Sequence, residues 1–255
     1  MEKEPLNKVR KKILILSGSA LLFLAMLSAC NKSGVNCVEN TGTIIRQERQ
    51  VTNFDSIDIR DYVNLILTQD SVKKVTVEAG ENIISGITTK VVNGELRIRN
   101  TNTCNWLRSY SKPVNVYVST YGLRKIYYIA SGNVTSTNTI RGDTLSVVVE
   151  EGCGSINLAL DIYQGFFVLQ KGTADFNLHG HCGISSIYSG DLGFFQCKNL
   201  QTGYTFITNS GSNDIYVNVA YELGVTINSI GNIYYTGNPA KVTAKINGTG
   251  RLIAF

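Results

Sequence analysis

Proline is nearly missing from this sequence. Three prolines occur in 255 residues, beside two methionines and one tryptophan, and charged residues make up only 17%. No stretch repeats apolar residues at the 3.6-residue period of an amphipathic helix, so these shortages argue against a helical enzyme. The motifs of common chemistries are also missing. There is no Gly-x-Ser-x-Gly, no His-Glu-x-x-His, no phosphate-binding loop and no dinucleotide glycine pattern. No two cysteines stand at Cys-x-x-Cys spacing, which removes the usual zinc or dithiol signature. The sequence therefore carries no recognised catalytic motif and points to no metal site and no cofactor.

The N-terminus carries a clear pattern. Lys8, Arg10, Lys11 and Lys12 precede an unbroken apolar or small run, Ile13 to Leu27, and then Leu27-Ser28-Ala29-Cys30. This is the order of a signal peptide. The run is short for a helix crossing a hydrocarbon layer of ~30 Å. A cysteine after Leu-Ser-Ala is the lipobox, so Cys30 is expected to take a diacylglycerol and become the first mature residue. Acylation by more than one chain (palmitate is a usual one) then makes membrane attachment stable. An ordinary signal peptide or an uncleaved anchor is the alternative. Removing residues 1–29 takes away five Lys/Arg and two Asp/Glu, leaving 19 and 17, so the mature chain is close to neutral. Nothing in that balance suggests nucleic acid.

Six cysteines occur: Cys30, Cys37, Cys104, Cys153, Cys182 and Cys197. Lipidation of Cys30 leaves an odd number. Cys37 and Cys104 lie outside the regular repeat and form the preferred disulfide pair, since an exported protein meets an oxidising compartment. Cys153, Cys182 and Cys197 are expected as buried thiols.

The rest of the chain alternates apolar and polar residues between Gly, Asn, Ser and Asp turns, which is strand chemistry. A glycine-marked period runs through the second half. Gly132, Gly152, Gly172, Gly190, Gly211, Gly231 and Gly250 are separated by 20, 20, 18, 21, 20 and 19 residues. About 20 residues make one coil of a solenoid, and a coil buries its apolar side only against its neighbours. The expected fold is all-β, a single-stranded parallel β-helix with glycines stacked over one another at its corners, where they supply positive φ. An ordinary β-sandwich remains the alternative. The first half alternates less regularly, with a hairpin expected at Asn93-Gly94. Asn82-Ile83-Ile84 is read as a helical turn or loop. The chain divides into residues 1–29 as signal, 30–52 as lead-in and 53–255 as one solenoid domain. Within it, residues 53–122 are irregular and 123–255 repeat.

At these residues the chain resembles the GIN-domain family of autotransporter-adhesin heads. The resemblance covers roughly 53–250 and rests on Phe54-x-x-Ile57-x-Ile59, Val75-x-Val77-Glu78 and Asn93-Gly94-x-Leu96-x-Ile98. Turns such as Gly154-Ser155-Ile156-Asn157 extend it. It implies two right-handed β-helical parts set at an angle, an exported location and no catalytic residues. Arg60-Asp61-Tyr62 departs from the pattern, where a glycine-rich turn is expected.

Three functional expectations follow. The first is a non-enzymatic binding or adhesion lipoprotein of the cell envelope. It would be lipid-anchored at the outer membrane, periplasmic or surface-facing, and bind a glycan or an envelope protein. Its candidate face is the basic, aromatic-containing stretch of Arg97, Arg99, Trp106, Arg108, Tyr110 and Lys112. The second is a carbohydrate-active β-helix enzyme using the corner carboxylates Asp175, Asp191 and Asp214. The third is a structural envelope protein recognising other proteins. His179-Gly180-His181 offers only two imidazoles and reads as a surface turn. The terminal Arg251-Leu252-Ile253-Ala254-Phe255 is apolar and is expected to pack as the last strand.

Overall fold

The computed structural model describes residues 40–103 and 112–255. Cys30, Cys37, Cys104, Trp106, Arg108 and Tyr110 lie outside the described residues. In chain order the strands are β1 Ile44–Arg49, β2 Ser56–Asp61, β3 Asn64–Gln69, β4 Lys74–Gly80, β5 Ile87–Val92 and β6 Glu95–Asn100. Then come β7 Asn115–Thr120, β8 Lys125–Ala130, β9 Val134–Ser136, β10 Ile140–Gly152, β11 Ser155–Leu169 and β12 Asp175–Ser189. The last are β13 Phe195–Asn209, β14 Ile215–Ile227, β15 Ile233–Gly237, β16 Lys241–Ile246 and β17 Leu252–Ala254. A single 3-10 turn, Ile84–Gly86, is the one helical element among the described residues.

The strands stack in parallel as coils, so the fold is the expected β-helix and not a sandwich of antiparallel hairpins. One stack runs β6, β2, β8, β10, then the second halves of β11, β12, β13 and β14, then β16. The other runs β7, β3, β9, then the first halves of β11 to β14, then β15 and β17. The long strands serve both stacks by bending. In β11 the alternation of buried residues slips by one between Ile162 and Gly165, so Tyr163 and Gln164 both turn outward. That local break in the two-residue period is what a corner requires.

Register places equivalent residues one above another. Ile57, Ile126, Val147, Phe167, Ile187 and Ile207 form one continuous buried column. Phe167, Phe176 and Phe195 meet across the interior, with Phe176 and Phe195 stacked at 4.6 Å between ring centroids. Each such side chain contributes about 1.5–3 kcal/mol by leaving water. Tyr128 is also fully buried. Its hydroxyl donates to the carbonyls of Gly132 (2.5 Å) and Cys153 (3.1 Å), and burial pushes its pKa far above the ordinary phenol value.

The chain does not stack in simple sequence order. The coil of β2 and β3 lies between the coil of β6 and β7 and that of β8 and β9. Antiparallel strands then close this end. β4 pairs with β7 and β1 pairs with β4 on one side, and β5 pairs with β6 on the other. β1 falls in the segment read as lead-in. It is held by Arg46 on Glu78 (2.6 Å), Lys74 on Glu48 (2.6 Å) and Arg49 on the Ile84 carbonyl (2.9 Å). The β5–β6 turn is the expected hairpin: Asn93 and Gly94 both take positive φ, as a type I′ turn demands. Asp61 stands at φ 68, doing at the first corner what a glycine would do. β17 pairs with β15, so the apolar terminus is the last strand.

The glycines work differently from the expectation of one straight column supplying positive φ. Gly172 sits over Gly152, and Gly250 over Gly231. Gly190 and Gly211 instead lie against the carbonyls of Gln170 and Asp191. Of the seven, only Gly172 has a positive φ, at 107°. What they share is close approach: a Cβ on Gly132 would lie 2.0 Å from the Val63 carbonyl oxygen, and one on Gly172 2.0 Å from that of Gly152. No side chain fits between adjacent coils there. Gly142, by contrast, has nothing within 4 Å of its Cβ position. Gly172→Ala is therefore expected to destabilise the domain by about 3 kcal/mol or more, while Gly142→Ala stays within about 0.5 kcal/mol. Urea unfolding of the two variants checks this. Equal midpoints would contradict it.

Candidate functional site

The corner carboxylates and amides are committed to backbone. One column runs through the residue that precedes the second stack in each coil. Asn64 Oδ1 accepts from Asn133 N–H (2.8 Å), and Asn133 Oδ1 from Ser155 N–H (3.0 Å). Asp175 Oδ1 accepts from Phe194 N–H (2.8 Å), Asp214 Oδ1 from Asn232 N–H (3.0 Å), and Asn232 Oδ1 from Arg251 N–H (3.0 Å). Each side chain thus satisfies a donor on the next coil that no strand bond reaches. Asp191 is not in this column. It belongs to the neighbouring turn and accepts from Gly172 N–H at 2.6 Å. Asp175 and Asp214 are separated by the coil carrying Phe194. The three carboxylates therefore do not line one groove.

His179 and His181 are exposed where β12 bends, with His181 Nδ1 3.9 Å from Asp161 Oδ1. No group of three or more metal-ligating side chains occurs among the described residues. The thiols divide. Cys182 and Cys197 are buried as expected, and burial pushes them up to about 11 and about 12. Cys153 is exposed, because it sits in the turn between β10 and β11 and not on a core-facing strand position.

Of the candidate basic face, Arg97, Arg99 and Lys112 are described. Arg97 and Arg99 lie on β6, both on its outward side. Arg97 Nε is 2.8 Å from Glu95 Oε1 and the side chain is about half exposed. Arg99 Nη2 is 2.5 Å from the buried carboxylate of Asp58, which also takes Arg60, and Arg99 Nη1 reaches the Asp58 carbonyl at 2.8 Å. Lys112 Nζ donates instead to the Gly42 carbonyl at 2.7 Å, just before β1. No hydrogen bond or ion pair joins it to the two arginines. Near it, Glu78 links three elements, accepting from Asn115 Nδ2 (2.8 Å), Tyr117 Oη (3.1 Å) and Arg46 Nε (2.6 Å). These bonds, that from Asn115 first, hold its pKa below the usual carboxylate value.

A concave feature lies elsewhere, away from the candidate basic face. Outward side chains of β11, β12, β13, β14 and β16 line a trench of about 590 Å³. Two positions per strand form its floor. Phe166, Ser186, Phe206, Gly224 and Thr243 lie in one register column, and Val168, Tyr188, Thr208, Thr226 and Lys245 in the next. Gly224 and Ser186 are the low points, with the Phe206 ring against the Gly224 backbone. The missed signal is the recurrence of aromatics at outward positions two coils apart, as at Phe166 and Phe206.

These features define a class: a β-solenoid whose corners are built for stacking and whose sheet faces are left for contact. The family profile described as "Putative auto-transporter adhesin, head GIN domain" matches residues 53–239, and the chain belongs to that family. Solved structures share the fold. A putative adhesin from Bacteroides fragilis matches with TM-score 0.76 at 21% identity, over 84% of this chain and 97% of that one. A putative lipid binding protein from Parabacteroides distasonis matches with TM-score 0.63 at 16% identity, over 85% and 98%. A putative adhesin from Parabacteroides merdae matches with TM-score 0.60 at 17%, over 85% and 98%. No curated protein sequence matches the chain. No helix among the described residues is long and apolar enough to cross a membrane.

Two outcomes test the corner and thiol assignments. Asp175→Ala should cost about 1 kcal/mol by orphaning the Phe194 N–H, whereas Asp175→Asn, which keeps an acceptor, should stay within about 0.5 kcal/mol. Thermal melts of both decide it, and equal losses would refute the bond's role. In the folded chain at pH 8, Cys153→Ser should remove one reactive thiol equivalent. Cys182→Ser and Cys197→Ser should leave the native count unchanged and lower only the denatured count.

Proposed function

We propose that this chain is a lipid-anchored, non-catalytic binding protein of the cell envelope. In this reading it is exported, acylated at Cys30 and held at the outer membrane, where its solenoid engages a partner in adhesion. The observation that carries the reading is the division of labour in the described domain. Corner carboxylates and amides are used up by bonds between coils, while an open trench of aromatic and hydroxyl side chains faces outward. Membership in an adhesin-head family supports it. The Leu27-Ser28-Ala29-Cys30 sequence supports the anchor, since two or more acyl chains give stable attachment where one alone does not. The basic stretch from Arg97 to Lys112 remains a candidate contact surface for an acidic glycan or lipid headgroup, with Arg97 and Lys112 its exposed described members. Cys37 and Cys104 are proposed as a disulfide tying the lead-in to the domain.

Cells grown with a palmitate analogue test this reading. The wild-type chain should be labelled and sediment with membranes, and cells carrying it should adhere to a surface that cells lacking it do not hold. Cys30→Ala should lose the label and the sedimentation. Label and membrane association that persist in Cys30→Ala would overturn the anchor. Adhesion unchanged by deletion of the chain would overturn the binding role.

A further inference from the structure

The trench has a composition as well as a shape. Its floor spans five parallel strands, about 19 Å along the stack at about 4.8 Å per strand, and two outward side chains across, about 7 Å. A ligand that fills it is elongated and lies across the strands. This excludes a peptide recognised by strand addition, which pairs at a sheet edge and not over a face.

The floor alternates large and small groups. Phe166, Tyr188 and Phe206 offer ring faces, and Ser186, Thr208 and Thr226 offer hydroxyls between them. The borders continue both chemistries. On one side, at the bend, Tyr163, Tyr204 and Tyr221 are exposed at 65%, 42% and 61%, with the last two rings 5.6 Å apart. On the other side runs a polar ladder, in which Asn228 Nδ2 donates to Ser210 Oγ (3.1 Å) and Asn247 Nδ2 to Asn228 Oδ1 (2.7 Å). An amide has two donors and an acceptor, so each step keeps hydrogen-bonding capacity toward a ligand.

Charge narrows the choice further. The floor holds no carboxylate, and Lys245 at one end is its one cation. Glu222 on the border is paired with Lys241 at 2.7 Å. A nucleic acid or acidic polymer would find almost no counter-charge here. A bare acyl chain would use the rings but leave two rows of hydroxyls and amides without a partner, in a trench open to water. What fits is a chain that presents apolar C–H faces and dense hydroxyls together, repeating at a few ångströms, without net charge.

We propose that the trench over β11 to β16 binds a neutral polysaccharide, with Phe166, Tyr188 and Phe206 stacking on sugar faces and Thr208, Thr226 and the Ser210–Asn228–Asn247 ladder holding its hydroxyls. This rests on the binding reading above and gives it a site and a ligand class.

The test uses the full chain, purified in detergent, on immobilised mannan, xylan and β-glucan, with heparin and polygalacturonate as acidic comparators. Binding to at least one neutral polymer is expected. Phe206→Ala and Tyr188→Ala should each weaken it tenfold or more, and Thr226→Glu should abolish it. Lys198→Ala, an exposed β13 position outside the trench, should leave it unchanged. Circular dichroism melts select the variants that remain folded, and these outward substitutions remove no core contact. Binding to a neutral polymer that all three trench variants retain would overturn the proposal. So would binding restricted to the acidic polymers, weakened by Arg97→Ala and not by Phe206→Ala, though the wider binding role would stand. If no polymer binds while cells still adhere, the trench assignment alone fails. If adhesion is absent too, both readings fail.

Discussion

Everything in this domain answers to the spacing of hydrogen-bonded strands. Parallel coils must lie about 4.8 Å apart wherever their backbones pair. Equivalent residues are then superposed whether or not they suit one another. At the turns this brings backbone within reach of backbone, and only glycine leaves room, as at Gly132 under Val63 and at Gly172 over Gly152. In the interior it stacks Ile on Val on Phe for coil after coil. At the second-stack corner it leaves several N–H groups without a strand partner, and Asn64, Asn133, Asp175, Asp214 and Asn232 each answer one.

The same constraint shapes the outward face. A column that is aromatic at one coil and small at the next becomes a corrugated surface with a fixed repeat. The trench needs no special loop or insertion. It arises because Phe166 and Phe206 stand two coils apart with Ser186 between them, and because Gly224 lowers the floor beyond. Binding surface and fold are therefore two sides of one strand set. Inward residues are fixed by packing, and outward residues are free to be chosen for contact.

How much of this was legible in the sequence depended on whether a feature was local. The hairpin at Asn93-Gly94, the 20-residue repeat and the terminal strand could be read, since turn chemistry and alternation are written in consecutive residues. The 3-10 turn at Ile84–Gly86 was visible for the same reason. β1 was not, because it buries no face: Ile44 and Ile45 are both exposed, and salt bridges to β4 replace apolar alternation. The insertion of the β2–β3 coil between two later coils was also hidden, since a period in sequence carries no stacking order. The carboxylate column failed for a related reason. Spacing put Asp175, Asp191 and Asp214 at matching corners, yet Asp191 belongs to a different turn, and the coil carrying Phe194 stands between Asp175 and Asp214. The trench was beyond reach because its residues are consecutive only across coils, and a tyrosine-rich chain offers too many rings to choose from.

The central claim is that coils lie on one another in parallel and in register from β8 to β16. Pairs of nitroxide labels at exposed outward positions test it most directly, in a chain whose native cysteines are replaced. Lys125, Phe206 and Thr243 share one column. Four coil spacings separate the first from the second and six separate the first from the third, so backbone separations near 19 and 29 Å are expected at about 4.8 Å per coil. Electron–electron distance measurements should find the second pair about 10 Å farther apart than the first. Equal distances, or a shorter one for the pair ending at Thr243, would contradict the stacked solenoid.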